Sequence, residues 1–287
     1  MMHCIIGANI LDRIVKCPGS VKPGNGSLAQ HDYLNKGYTQ NRIECNEAVV
    51  RGLAIDELAK NIIRVKSGMS EKSQHFCTPE NEVDPTYYKP ANLYASHMVK
   101  VANKVGKSFI DPMYDCSRYV KNLENCEFRV RFNPDFVAMP YTEKGTAFIS
   151  ELNTASNDDR NKMFQVICCA VGLIEYYPTI DGCMCEVFNP ILEEVSVVKL
   201  SRAEIEAYRD DIIKPALDKL RDALDSDHVE EYRHNCSWCR HYCIFKDEGC
   251  QACRNSDEYI ENTIDIDLNF KLCGVTREIL DFYNSMF

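Results

Sequence analysis

Apolar residues recur at helical spacing over residues 44–65, where Ala48, Val49, Leu53, Ile55, Leu58, Ala59, Ile62 and Ile63 predict an amphipathic helix. Residues 67–89 are polar and carry Pro79 and Pro85, with Pro90 just beyond, so a linker is predicted there and a second helix over residues 92–105. The pattern then shifts to alternation. Phe128, Val130 and Phe132 alternate with Arg129 and Arg131, the mark of a half-buried strand. Apolar runs over residues 132–139 and 147–154 flank the turn cluster Pro140-Tyr141-Thr142-Glu143-Lys144-Gly145, which predicts a β-hairpin. Asn157-Asp158-Asp159 opens a strongly apolar helix through Met163, Phe164, Val166, Ile167, Ala170, Val171 and Ile174, and strands are predicted over residues 184–188 and 195–200. Ser201 and Glu204 form a capping box before a long amphipathic helix, bent at Pro215. Residues 1–37, after a short apolar start, read as an irregular arm. The order is helix, helix, three strands, helix, two strands, long helix and a cysteine-rich segment, which is mixed α/β.

Composition narrows the class. The chain has 287 residues, 45% of them hydrophobic and 26% charged, ordinary for a globular protein able to bury a large core. No apolar run approaches the roughly 20 residues of a membrane span. The N-terminus lacks the features of a secretory signal, so an intracellular, cytoplasmic protein with no membrane partner is expected. In such a setting its 16 cysteines point to thiols and metal ligands rather than a disulfide framework. Cys168, Cys169, Cys183 and Cys185 lie in apolar runs and read as core. The net charge of −10 disfavours indiscriminate nucleic-acid binding, yet residues 86–131 hold eight basic against four acidic side chains.

The hairpin carries candidate chemistry. Asp135 begins one strand and Glu151 ends the next, so the two carboxylates can meet at one sheet edge. Carboxylates held that close repel unless a cation lies between them, and oxygen donors of this kind suit magnesium or manganese.

Pro134-Asp135 and Glu151-Leu152-Asn153 resemble the motif of the RecB-like branch of the PD-(D/E)xK nucleases, in which Pro-Asp is followed after a turn by an acid, any residue and lysine. Gly52 and Asp56 resemble that family's Gly-x-x-x-His helix, with Asp56 in the histidine position. Gln165 and Cys169 resemble its Gln-x-x-x-Tyr helix, with Cys169 in place of tyrosine. Cys17 upstream and Cys236-Ser237-Trp238-Cys239 downstream resemble the iron-sulfur members, the AddB-type and CRISPR-associated adaptation nucleases, and the likeness is closest to phage-encoded members. It runs over residues 16–250.

The resemblance implies a restriction-endonuclease-like mixed sheet flanked by helices over residues 1–235, and a cysteine metal module with a tail over residues 236–287. It implies a metal-dependent nuclease acting on DNA, with magnesium or manganese on Asp56, Asp135, Glu151 and the Leu152 carbonyl, and Gln165 beside the site. Asn153 replaces the family's lysine, whose charge assists attack on the phosphate. Lys162 on the following helix and Lys144 in the hairpin turn are the candidates to supply that charge. The alternative function is a nuclease-fold binding module with little or no activity, serving a recombination, replication or defence complex.

The family's [4Fe-4S] cluster would fall to Cys17, Cys236, Cys239 and Cys243, or to Cys250 as fourth ligand. Spacing alone leaves a zinc site open, because Cys236-x-x-Cys239 and Cys250-x-x-Cys253 pair as in a zinc knuckle.

Overall fold

In the computed structural model, which describes residues 2–19, 47–69, 85–124, 126–155, 159–226, 228–232 and 270–273, these patterns become nine strands and six α-helices among the described residues. In chain order they are β1 (Met2–Ile6), α1 (Ala8–Lys16), α2 (Glu47–Lys66), α3 (Tyr88–Val105), β2 (Lys107–Ile110), β3 (Tyr114–Asp115), β4 (Cys126–Phe132), β5 (Phe136–Met139) and β6 (Gly145–Leu152). There follow α4 (Asp159–Tyr176), β7 (Ile180–Asn189), β8 (Glu194–Ser201), α5 (Arg202–Ala207), α6 (Lys214–Asp225) and β9 (Phe270–Cys273). They belong to two units. One draws its described residues from Met1–Glu44, Tyr114–Phe132 and Glu206–Ile266, the other from Cys45–Met113, Asn133–Ile205 and Asp267–Phe287.

The larger unit is a mixed sheet in the order β2-β5-β6-β7-β8-β9. All neighbours are antiparallel except β6 and β7, which are parallel because α4 forms the crossover between them. Alternate side chains divide the sheet into two faces. Phe136, Phe148, Met184 and Phe188 join Ile55, Ala59, Ile63, Tyr94 and Met98 in a core under α2 and α3. The intervening Ile149, Cys183, Cys185 and Val187 are buried as well, and α4 packs on β6 and β7. Because it is enclosed, α4 is apolar nearly all round, with Met163, Phe164, Val166, Ile167, Cys168 and Cys169 all buried.

The predicted hairpin is β5 and β6, with Phe136 opposite Ser150 and Ala138 opposite Phe148. The second helix begins at Tyr88 rather than residue 92, since Pro90 falls in its first turn, where the missing N–H has no helical acceptor to lose. That helix ends at Gly106, whose φ of 141° and close approach to the Met139 carbonyl leave no room for a Cβ. A chain bend so made returns β2 alongside β5.

In the smaller unit β4 lies between β1, parallel to it, and β3, antiparallel to it. Within the opening that reads as an irregular arm, residues 2–16 are therefore a strand and a helix, while residues 20–37 lie outside the described residues. The signal was short: α1 has no side-chain cap, its apolar stripe comes down to the buried Leu11 and Ile14, and the helix packs on α6. The capping box forms as predicted, the Ser201 backbone N–H and hydroxyl both donating to Glu204 Oε2 at 2.7 Å. The long helix beyond it is interrupted at Tyr208–Ile213 by a π-helical turn just before Pro215, a residue that cannot donate its backbone hydrogen bond. Among the described residues no helix is long and apolar enough to cross a membrane.

Candidate functional site

The antiparallel pairing of β5 with β6 and of β2 with β5 brings the end of β2, the start of β5 and the end of β6 to one edge of the sheet. Asp111, Asp135 and Glu151 sit at those three places. The Asp111 N–H donates to the Asp135 carbonyl at 3.2 Å, and the Leu152 N–H donates to Asp135 Oδ2 at 2.8 Å. Asp111 makes its turn at a φ of 49°, a left-handed conformation that Asp tolerates better than most side chains.

From the face above, α2 contributes Asp56, Lys60 and Arg64. At four-residue spacing they form one stripe beside the buried Ile55, Ala59 and Ile63. Helix and sheet edge are close because Gly52 has no side chain: a Cβ there would stand 2.5 Å from Thr154 Oγ1.

Lys60 is the centre of the arrangement. Its Nζ lies 2.7 Å from Asp56 Oδ2, 2.7 Å from Asp111 Oδ1 and 3.0 Å from Asp135 Oδ1, and its side chain is 12% exposed. Burial alone would lower the pKa of this ammonium, but Asp135 and Asp56 outweigh it and raise the pKa above its ordinary value. Arg64 Nη2 adds a longer contact to Asp111 at 3.6 Å. The carboxylates respond unequally. Burial first, then the charge of Asp135, push Asp56 up to about 6 despite the opposing pull of Lys60. Glu151 is raised well above the usual carboxylate range, again by burial and then by Asp135. Asp56 Oδ1 is buried with no hydrogen-bond partner.

On the other face of the sheet, α4 lies under Glu151. Lys162 Nζ is 3.7 Å from Glu151 Oε2. Gln165 and Cys169 follow at helical spacing on the same side, and Gln165 is half-buried. Cys169 is buried, and burial together with the charge of Glu151 pushes its thiol up. Back on the face covered by α3, Ser150 Oγ donates to Glu186 Oε1 at 2.6 Å, and Glu186 Oε2 lies 2.8 Å from His97 Nε2 in the core.

The structure therefore gathers Asp56, Asp135, Glu151, Leu152 and Lys162 into one corner. Two sequence candidates take other parts. Asn153 is 3% exposed, its N–H donates to the Phe188 carbonyl, and its Oδ1 accepts the Ala155 N–H at 3.1 Å, so the residue shapes the turn after β6. Lys144 is exposed in the hairpin turn, at the opposite end of β5 and β6 from Asp135 and Leu152, and so lies away from the corner.

Sequence reasoning missed Lys60, Arg64 and Asp111. The four-residue steps from Asp56 to Lys60 and Arg64 were the available signal for the first two, whereas nothing in the pattern marks Asp111. The donor chemistry of the corner suits a hard cation: carboxylate oxygens, one buried without a partner, two of them held where they repel. In this arrangement, however, no three His, Cys, Asp or Glu side chains among the described residues gather as a metal ligand set, since Lys60 stands between the acids.

Cys17 is buried in the smaller unit. The Gly19 N–H donates to the Tyr232 carbonyl at 2.8 Å, which sets the chain just after Cys17 beside Tyr232. Cys236, Cys239, Cys243, Cys250 and Cys253, and with them the expected cysteine module, lie outside the described residues.

No family model matches the chain, and no curated protein matches it. Among solved structures it aligns with the crystal structure of SSO0001 over 85% of this chain and 84% of that one, at 10% identity and a TM-score of 0.35. It also aligns with a "Putative exonuclease" from Eubacterium rectale over 67% of this chain and 74% of that one, at 7% identity and a TM-score of 0.39.

Proposed function

We propose that this protein is a metal-dependent nuclease that hydrolyses phosphodiester bonds in DNA, using the corner at the edge of the larger sheet. The observation that carries the reading is the convergence of Asp135 and Glu151 from adjacent strand ends, with Asp56 delivered above them by α2. In hydrolysis a water oxygen bonds to phosphorus and the ester P–O bond breaks. One water proton ends on the leaving oxygen, and the other stays on the new phosphate monoester until it ionises.

Asp56, Asp135, Glu151 and the Leu152 carbonyl would hold magnesium or manganese, which when bound supplies positive charge to the phosphate and lowers the pKa of a coordinated water. Asp135 keeps its carboxylate aimed through the Leu152 N–H, while Lys162 flanks Glu151 and Gln165 lines the same side of α4. The motif lysine is absent, and Asn153 serves the turn instead. That absence favours a second reading, a nuclease-like binding module with little chemistry of its own.

For the smaller unit we propose a [4Fe-4S] cluster on Cys17, Cys236, Cys239 and Cys243, with Cys250 as an alternative fourth ligand and a zinc site including Cys253 as the rival. Support comes from the Gly19–Tyr232 hydrogen bond, which joins a residue two places after Cys17 to one four places before Cys236 in the sequence.

The test is cleavage of single-stranded and duplex DNA in magnesium or manganese, with and without EDTA. Wild type is expected to cut, and Asp135→Ala to lose at least about 10²-fold in kcat. Cutting that survives Asp135→Ala removes the activity from this corner. A wild type that binds DNA without cutting it favours the binding module.

A further inference from the structure

We propose that Lys60 is a built-in cation of the acidic corner: its ammonium occupies the carboxylates until a divalent ion takes over Asp56 and Asp135, and then turns to the nucleic-acid phosphate. The inference rests on the nuclease reading for its substrate and on the geometry around Nζ for its substance. Three acceptor oxygens, one each from Asp56, Asp111 and Asp135, lie within 3.0 Å of Nζ, matching the three N–H donors of an ammonium. Lys60 is thus the common partner of two of the four proposed metal ligands. A doubly charged ion entering at those oxygens would stand close to the ammonium and repel it.

Lys60 has somewhere to go. Its long stem is flexible, and the side on which it meets Asp111 is open: the Asp111 side chain is 42% exposed, and Arg64 approaches the same carboxylate from the helix. Displaced in that direction, Lys60 would stand beside Arg64, and the two cations would face an approaching phosphate. The charge absent at Asn153 would then come from a different element, one turn beyond Asp56 on α2.

Amine acylation of the wild-type protein, read lysine by lysine by peptide mass spectrometry, tests this without any substitution at Lys60. In EDTA, Lys60 is expected to label slowly. Saturating Mn²⁺ should raise its labelling several-fold while the exposed Lys100 and Lys199 stay unchanged, and a phosphorothioate-linked single-stranded DNA added with Mn²⁺ should protect it again. Labelling that is unchanged or lowered by Mn²⁺, or raised by Mn²⁺ but indifferent to the DNA, overturns the proposal. Lys60→Gln is the second arm: it should bind Mn²⁺ at least as tightly as wild type in the absence of DNA, yet cut at least about 10²-fold more slowly. Weaker Mn²⁺ binding, or cleavage at the wild-type rate, also overturns it. If Lys60 labels as expected and no DNA is cut by wild type, the nuclease reading fails and the competition between lysine and metal stands. If DNA is cut and Lys60 does not respond, the reverse holds.

Discussion

At the scale of single residues, Asp56 carries a cost that its neighbours only partly remove. Its pKa of about 6 lies above the ordinary 3.8, so between those values the folded protein holds a proton that the unfolded chain has released. Stability from this group is therefore greatest at low pH, falls as pH rises through that window, and stays low above it. With the carboxylate partly exposed to solvent, the loss should amount to about 1–3 kcal/mol. Asp56→Asn removes this dependence: relative to wild type, the variant should gain about that much between pH 4 and pH 8 in urea unfolding with EDTA present. An equal difference at both pH values would show that Asp56 is not perturbed. Asn153 leads to an opposite kind of expectation. Restoring the motif with Asn153→Lys should not raise activity, because it removes the acceptor for the Ala155 N–H and brings an ammonium to a buried position. We expect a stability loss of about 1–3 kcal/mol, measured by urea midpoint, and cleavage no faster than wild type.

At the scale of elements, the corner depends on how near α2 comes to the end of β6. Gly52 sets that distance, since any Cβ there meets Thr154 Oγ1 at 2.5 Å. Gly52→Ala should destabilise the protein by about 1–3 kcal/mol through overpacking. Thr154→Ala in the same chain takes away the clashing oxygen and should restore most of the loss. A double variant no more stable than Gly52→Ala alone would place the cause elsewhere. The sheet side of the corner is held more deeply. The Ser150, Glu186 and His97 hydrogen bonds lie in the core on the α3 face of the sheet, opposite the face that carries Glu151, so the strand that carries Glu151 is fixed by polar groups that water does not reach.

At the scale of the whole molecule, the proposed iron-sulfur cluster predicts iron and sulfide in anaerobically purified protein, with broad visible absorbance that Cys17→Ser and Cys236→Ser both abolish. Zinc without iron, retained in Cys17→Ser, would favour the zinc knuckle built from the later cysteines alone. Chelation should separate the two proposed metals: mild EDTA treatment should stop cleavage while leaving the visible absorbance in place.

Much of the larger unit was legible in the sequence, because its strands and helices bury their apolar positions in the local rhythm of the chain. The hairpin of β5 and β6, the helices α2 and α4 and the capping box at Ser201 each carry their pattern within a few residues. β1 and α1 escaped because their burial depends on β4 and α6, far along the chain, and five or nine residues hold too little periodicity to announce it. Asp135 and Glu151 stood out by type and spacing, and Asp56 only through the family motif that its helix resembles. Lys60 and Asp111 did not, since a lysine on a helix and an aspartate in a turn are ordinary surface residues until a fold sets them among carboxylates. Residue type and local pattern were enough to say which acids are available and on which elements they lie. That Asp56, Asp111 and Asp135 share one ammonium is a property of the fold, because the contacts joining residues 56, 60, 111 and 135 arise where helix and sheet edge meet, and no local pattern encodes that meeting.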